Sequence, residues 1–152
     1  MTIEVVSWRE TGLGGAALGG VAGGYLMLLI GLWAGRVPGL VSVDIADFGR
    51  RYMVSDRPSA WLLGLASHLA NSFLLALAWS TMVEPNLHGA HWLEGLLWGE
   101  FLAFGLAGAL VAPMAGQGFM GRRSGSWRFV ATNVVMHGAW GVLVGLLATG
   151  RR

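Results

Sequence analysis

The chain reads as an all-α integral membrane protein, a four-transmembrane-helix bundle with a short amphipathic surface helix between helices 1 and 2. Three observations predict this. Four apolar windows, at about 13–35, 60–83, 91–113 and 128–150, each reach the roughly twenty residues that a helix needs to cross a bilayer core. Of the 152 residues 55% are hydrophobic and 12% charged, which leaves too few polar residues for a separate soluble domain. Tryptophans stand at the window edges, as an interfacial aromatic belt requires: Trp8 and Trp33 bracket the first, Trp61 and Trp79 the second, and Trp92 and Trp127 open the third and fourth.

The first window has the wrong flank for a cleavable leader. Glu4 and Glu10 outweigh Arg9, and the apolar run is longer than a signal core, so a retained helix is expected. Gly15, Gly19 and Gly23 recur every fourth residue along it, with Gly20 and Gly24 beside them, a surface on which another backbone can approach closely. After it, residues 41–53 place Val41, Ile45, Phe48 and Tyr52 on one helical face, with Asp44, Asp47, Arg50 and Arg51 elsewhere; this is the predicted surface helix, in which Asp47 has ion-pair spacing to Arg50 or Arg51. The second window carries Gly64, Ser67, His68, Asn71 and Ser72 in one narrow stripe. The third carries Glu100, and the fourth repeats the stripe with Asn133, His137, Gly141 and Gly145. Small and polar residues gathered on one face must turn toward protein in lipid.

Arg36, Arg50, Arg51 and Arg57 lie in the first loop and Arg122, Arg123 and Arg128 around the third, while the second loop, 84–90, has no cation. The positive-inside rule therefore puts loops one and three in the cytoplasm and both termini outside, with Arg9, Arg151 and Arg152 pointing the other way. The third loop, Gly116-Gln-Gly-Phe-Met-Gly121, matches the glycine spacing of a dinucleotide-binding turn but follows a membrane helix instead of a strand, so a flexible turn with Arg122 and Arg123 on lipid headgroups is expected. Neither nucleotide nor nucleic acid is an expected partner.

Several chemistries are excluded. The absence of cysteine removes disulfides, thiolate metal sites, iron–sulfur clusters and thiol nucleophiles. The absence of lysine removes a retinal-type Schiff base. Nothing has the spacing of a catalytic triad or nucleophile elbow, so no catalytic residue is assigned.

At about 1.5 Å per residue, His68 lies roughly 12 Å, His137 roughly 15 Å and Glu100 roughly 20 Å from the same end of the bundle. These depths bring His68, Asn71, Glu100, Asn133 and His137 within reach of one another as an intramembrane polar cluster. Such groups are paired, buried or functional. Hydrogen-bonding glue between helices is the plain reading, with no cofactor. The sharper readings are a b-type haem held by His68 and His137, with Gly64, Gly138 and Gly141 leaving room for the macrocycle, and a His–His–Glu metal ion site. Proton relay or quinone contact would use the same residues. Outside the membrane, His88, His91 and Glu94, with Glu84 nearby, have spacing that could bind a metal, or that simply belongs to an interfacial loop.

The stretches Val43-Asp44-Ile45-Ala46-Asp47-Phe48-Gly49, Trp61 to His68, Gly95-Leu-Leu-Trp-Gly99, Ala112-Pro-Met-Ala-Gly-Gln-Gly-Phe-Met-Gly121 and His137-Gly-Ala-Trp-Gly141 resemble a widespread family of small four-helix bacterial inner-membrane proteins without assigned chemistry. The resemblance implies the fold and the compartment, the bacterial inner membrane, and no activity. The functional expectation is a non-catalytic accessory subunit packed through its glycine-rich first helix against other integral membrane subunits, respiratory or photosynthetic, or against itself. The alternative is a small redox or metal protein using His68 and His137, and a transporter built from two degenerate hairpin repeats is a third.

Overall fold

In a bilayer every backbone polar group must be satisfied within the chain, so uninterrupted apolar runs wind into helices. The structure, a computed structural model, describes residues 3–47, 57 and 59–149. Helix α1 spans Leu13–Trp33 and tightens into a 3-10 turn at Ala34–Arg36. Helix α2 spans Ala60–Ala78 and runs through a π turn, Trp79–Val83, into a 3-10 turn at Glu84–Asn86. Helix α3 starts at His91–Leu102, widens into a π stretch at Ala103–Val111, and closes with Ala112–Met114. Helix α4 is Trp127–Leu147, with Ser126 as its N-cap accepting from the Arg128 N–H. All four are long and apolar enough to cross a membrane. The fourth is shorter than expected at its end, because Ala148 leaves helical geometry and its carbonyl accepts from the Ser80 hydroxyl at 2.7 Å.

The helices pack in the order α2, α1, α4, α3: α4 lies on both α3 and α1, and α1 also lies on α2. Glycine decides each crossing. On α3 and α4, a side chain at Gly95 would strike the Gly141 carbonyl and the Gly145 backbone, and one at Gly99 would strike the His137 carbonyl. Gly141 and Gly145 return these contacts against Gly95 and His91. On α1, Gly15, Gly19 and Gly23 face Leu147, Val144 and Trp140 of α4, while Gly20 and Gly24 face Phe73 and Ser72 of α2. Both glycine faces of α1 are thus filled inside the bundle, and leucines such as Leu18 and Leu29 point outward.

The core at the α1–α4 seam is built on Trp79, Trp140, Met136, Met27 and Val144. Trp79 belongs here and not to the interfacial belt, being 0% exposed, whereas Trp127 is 69% exposed. Trp61 turns to loop one, where its indole N–H donates to the Asp44 carboxylate at 2.9 Å.

Loop one folds back over the bundle. Val43 donates to the Gly31 carbonyl, and the Val41 amide donates to the Thr132 hydroxyl at 3.0 Å. These ties hold Val41–Asp44 extended, so the surface helix begins at Ile45, not Val41; Asp44 caps it by accepting from the Asp47 N–H. Its expected continuation through Phe48, Arg50, Arg51, Tyr52 and Met53 lies outside the described residues, as do Arg151 and Arg152. At the opposite end the N-terminal segment joins the second loop: Val6 donates to Thr81, and Glu4 and Asn86 exchange hydrogen bonds of 2.9 and 2.8 Å.

Thr132 is fully buried, and its hydroxyl also reaches the Val41 and Arg128 carbonyls. Thr132→Val keeps the shape but leaves the Val41 amide without its acceptor. The expected loss is about 1 kcal/mol of stability, the low end of the range for orphaning a donor, because the bond is only part-buried. Thermal unfolding followed by circular dichroism in detergent checks it, and an unchanged midpoint would show that the loop holds without this bond.

Candidate intramembrane binding site

Because α2 and α3 both pack inward on the α1–α4 pair and do not pack closely on each other, a gap remains between them. It forms a cavity of about 140 Å³. His68, Asn71 and Ser72 reach it from α2, and Asn133 and His137 from α4; the remaining wall is apolar, including Met27, Leu102, Leu106, Met136 and Trp140. Loop one contributes Val43 and Ile45.

Each polar side chain is anchored before any ligand is considered. His68 Nε2 lies 3.1 Å from the Gly24 carbonyl of α1, a contact made possible by the close α1–α2 crossing. His137 Nδ1 lies 2.9 Å from the carbonyl of Asn133, one turn earlier on its own helix. A carbonyl only accepts, so these two nitrogens carry the protons, and in the neutral ring the other nitrogen is an acceptor. The Asn133 amide donates at 2.9 Å to the carbonyl of Ala103. That residue opens the π stretch, and a side chain taking a carbonyl from the helical ladder is a recognised cause of altered winding. The wider i→i+5 turns then place Leu106, Ala107 and Val111 on the cavity wall.

Four of the five expected cluster residues therefore meet, and Glu100 does not join them. Its carboxyl lies over Gly138 on the adjacent face of α4, with Oε2 buried and without a hydrogen-bond partner. Among the described residues no three His, Asp or Glu side chains are grouped as a metal site requires. Two of the three glycines expected to make room for a macrocycle are occupied: Gly138 is filled by Glu100 and Leu96, and Gly141 by the backbone of α3.

The outer cluster also disperses. Glu94 accepts the Gly89 N–H and closes the turn before α3, His91 Nδ1 stands 3.6 Å from Glu84 Oε1, and His88 is exposed. The third loop is held by its own hydrogen bonds, with Arg123 donating to the Gly116 carbonyl at 3.3 Å and its amide to Gln117; Arg122 and Arg123 are exposed. Gly116, Gly118 and Gly121 take positive φ, as does Met120 at 52°, whose sulfur packs on Gly108 of the π stretch.

Sequence reasoning gave no packing role to Thr132, Trp140, or the Gly95 and Gly99 pair. The glycine pair has a readable signal, since Gly95-x-x-x-Gly99 and Gly141-x-x-x-Gly145 are both small-xxx-small spacings. Trp140 and the π stretch have none. Comparison with protein-family models, curated proteins and solved structures finds no match.

Proposed function

We propose that this chain is a small non-catalytic multi-pass protein of the bacterial inner membrane that binds a lipid-soluble small molecule between α2 and α3. The observation that supports it most is a mainly apolar cavity into which two histidines and two asparagines converge. Apolar walls with a few placed polar groups are the usual make-up of a small-molecule site. Size narrows the ligand. An engineered apolar cavity of about 150 Å³ takes up benzene, so about 140 Å³ suits a single ring with its tail leaving between the helices.

Arg36, Arg57, Arg122, Arg123 and Arg128 favour a cytoplasmic location for the end that carries loops one and three, leaving the termini outside. An accessory-subunit role drew its support from the glycine face of α1, which α4 and α2 now cover, so a docking partner would have to use the outer leucine faces. A bis-histidine haem would use the same two rings, and Gly138 and Gly141, two of the three glycines expected to make room for it, already face α3.

Leu106→Trp places an indole in the cavity from the π stretch. Protein purified gently from its own membranes is expected to carry a small lipid-soluble compound, seen by mass spectrometry of the organic extract, that this variant lacks at equal helix content. Identical extracts from the two proteins would discard the reading.

A further inference from the structure

We infer that the cavity selects a ligand whose ring donates a hydrogen bond, a phenol or hydroquinone rather than a quinone or an aryl ether; this rests on the cavity-binding reading above. The two histidines carry the inference. Each has directed its N–H to a backbone carbonyl, His68 to Gly24 and His137 to Asn133, and neither makes another hydrogen bond among the described residues. Nδ1 of His68 and Nε2 of His137 are thus left as acceptors on rings that line one cavity. The Asn133 amide is used on Ala103, so its side-chain carbonyl adds a third acceptor. Asn71 and Ser72 can both donate and accept, the Trp140 indole N–H is buried against Gly23 of α1, and the fixed excess facing the cavity is of acceptors.

A ligand oxygen bearing a proton matches that excess. A phenolic O–H donates to one imidazole, and its oxygen accepts from Asn71 or Ser72. A quinone carbonyl or a methyl ether only accepts; it sets lone pair against lone pair and leaves the imidazole nitrogens unsatisfied in an apolar wall. Sites that hydrogen-bond a hydroxyl discriminate strongly against the analogue lacking it, because their own polar groups are then left unpaired.

The test compares para-hexylphenol with its methyl ether, which share ring and tail, by equilibrium binding to the detergent-solubilised full chain at matched micellar mole fraction. At least tenfold tighter binding of the phenol is expected, with that preference reduced in His68→Phe or His137→Phe at unchanged helix content. Equal binding of the two probes would overturn the head-group assignment while leaving the cavity reading in place. A preference that persists in both histidine variants would overturn the role given to the rings. Binding of neither probe overturns the assignment as well, and the wild-type and Leu106→Trp extracts then decide separately whether the cavity reading falls with it.

Discussion

Gly141→Leu is expected to unseat α3 from α4 and leave the chain unable to reach its native fold in detergent. A Cβ at this position would already sit against the Gly95 carbonyl and the Gly99 Cα, which belong to backbone and cannot swing aside. Overpacking in a close-packed interior typically costs about 1–3 kcal/mol, and the cost rises where the obstructing atom cannot move. Gly95→Leu should behave alike, since the two residues oppose each other. Gly14→Ala supplies the contrast: a methyl there meets nothing, and in the first turn of α1 alanine is at least as good a helix former as glycine. Thermal unfolding followed by circular dichroism would show the two leucine variants melting far below wild type and the alanine variant at or above it. Normal unfolding of Gly141→Leu would mean that α3 and α4 do not cross at these glycines.

The second large effect is Trp79→Ala. Replacing a fully buried tryptophan by alanine typically costs about 3–5 kcal/mol through lost contacts and the cavity left behind. In a bilayer the loss is mainly of packing, because lipid tails are as apolar as the core. Trp127→Ala removes the same side chain from an exposed position and should move the midpoint little. If both tryptophans were interfacial anchors, the two variants would shift alike, so the difference between them tests the core assignment directly.

Helix number and approximate limits were legible because the bilayer imposes length and because arginine, proline and glycine interrupt the apolar runs. The convergence of His68 with His137 was legible too, since depth follows from counting residues along parallel helices. Azimuth was not. Glu100 has a suitable depth and still lies on another side of α4, and Trp79 has the sequence position of a belt residue while facing inward. Both errors arise from rotation about the helix axis, which an almost uniformly apolar helix does not encode in its hydropathy. The π stretch adds to this, because beyond Ala103 a 3.6-residue period no longer predicts which side chains share a face. Even so, the glycine spacings on α3 and α4 specify their mutual orientation, so part of the azimuth can be recovered from small residues.

The packing order gives the molecule the build of a book. Helices α1 and α4 form its spine, α2 and α3 are the covers, and the residues at 87–90 are a short tape joining the covers at one edge. The glycine seams bring each cover close to the spine, and the tape limits how far the covers part at its own edge. At the far edge loop one is the clasp, tied to α1 at Gly31, to α4 at Thr132 and to α2 through Asp44 and Trp61, so the book is fastened at both edges and its open side faces the lipid.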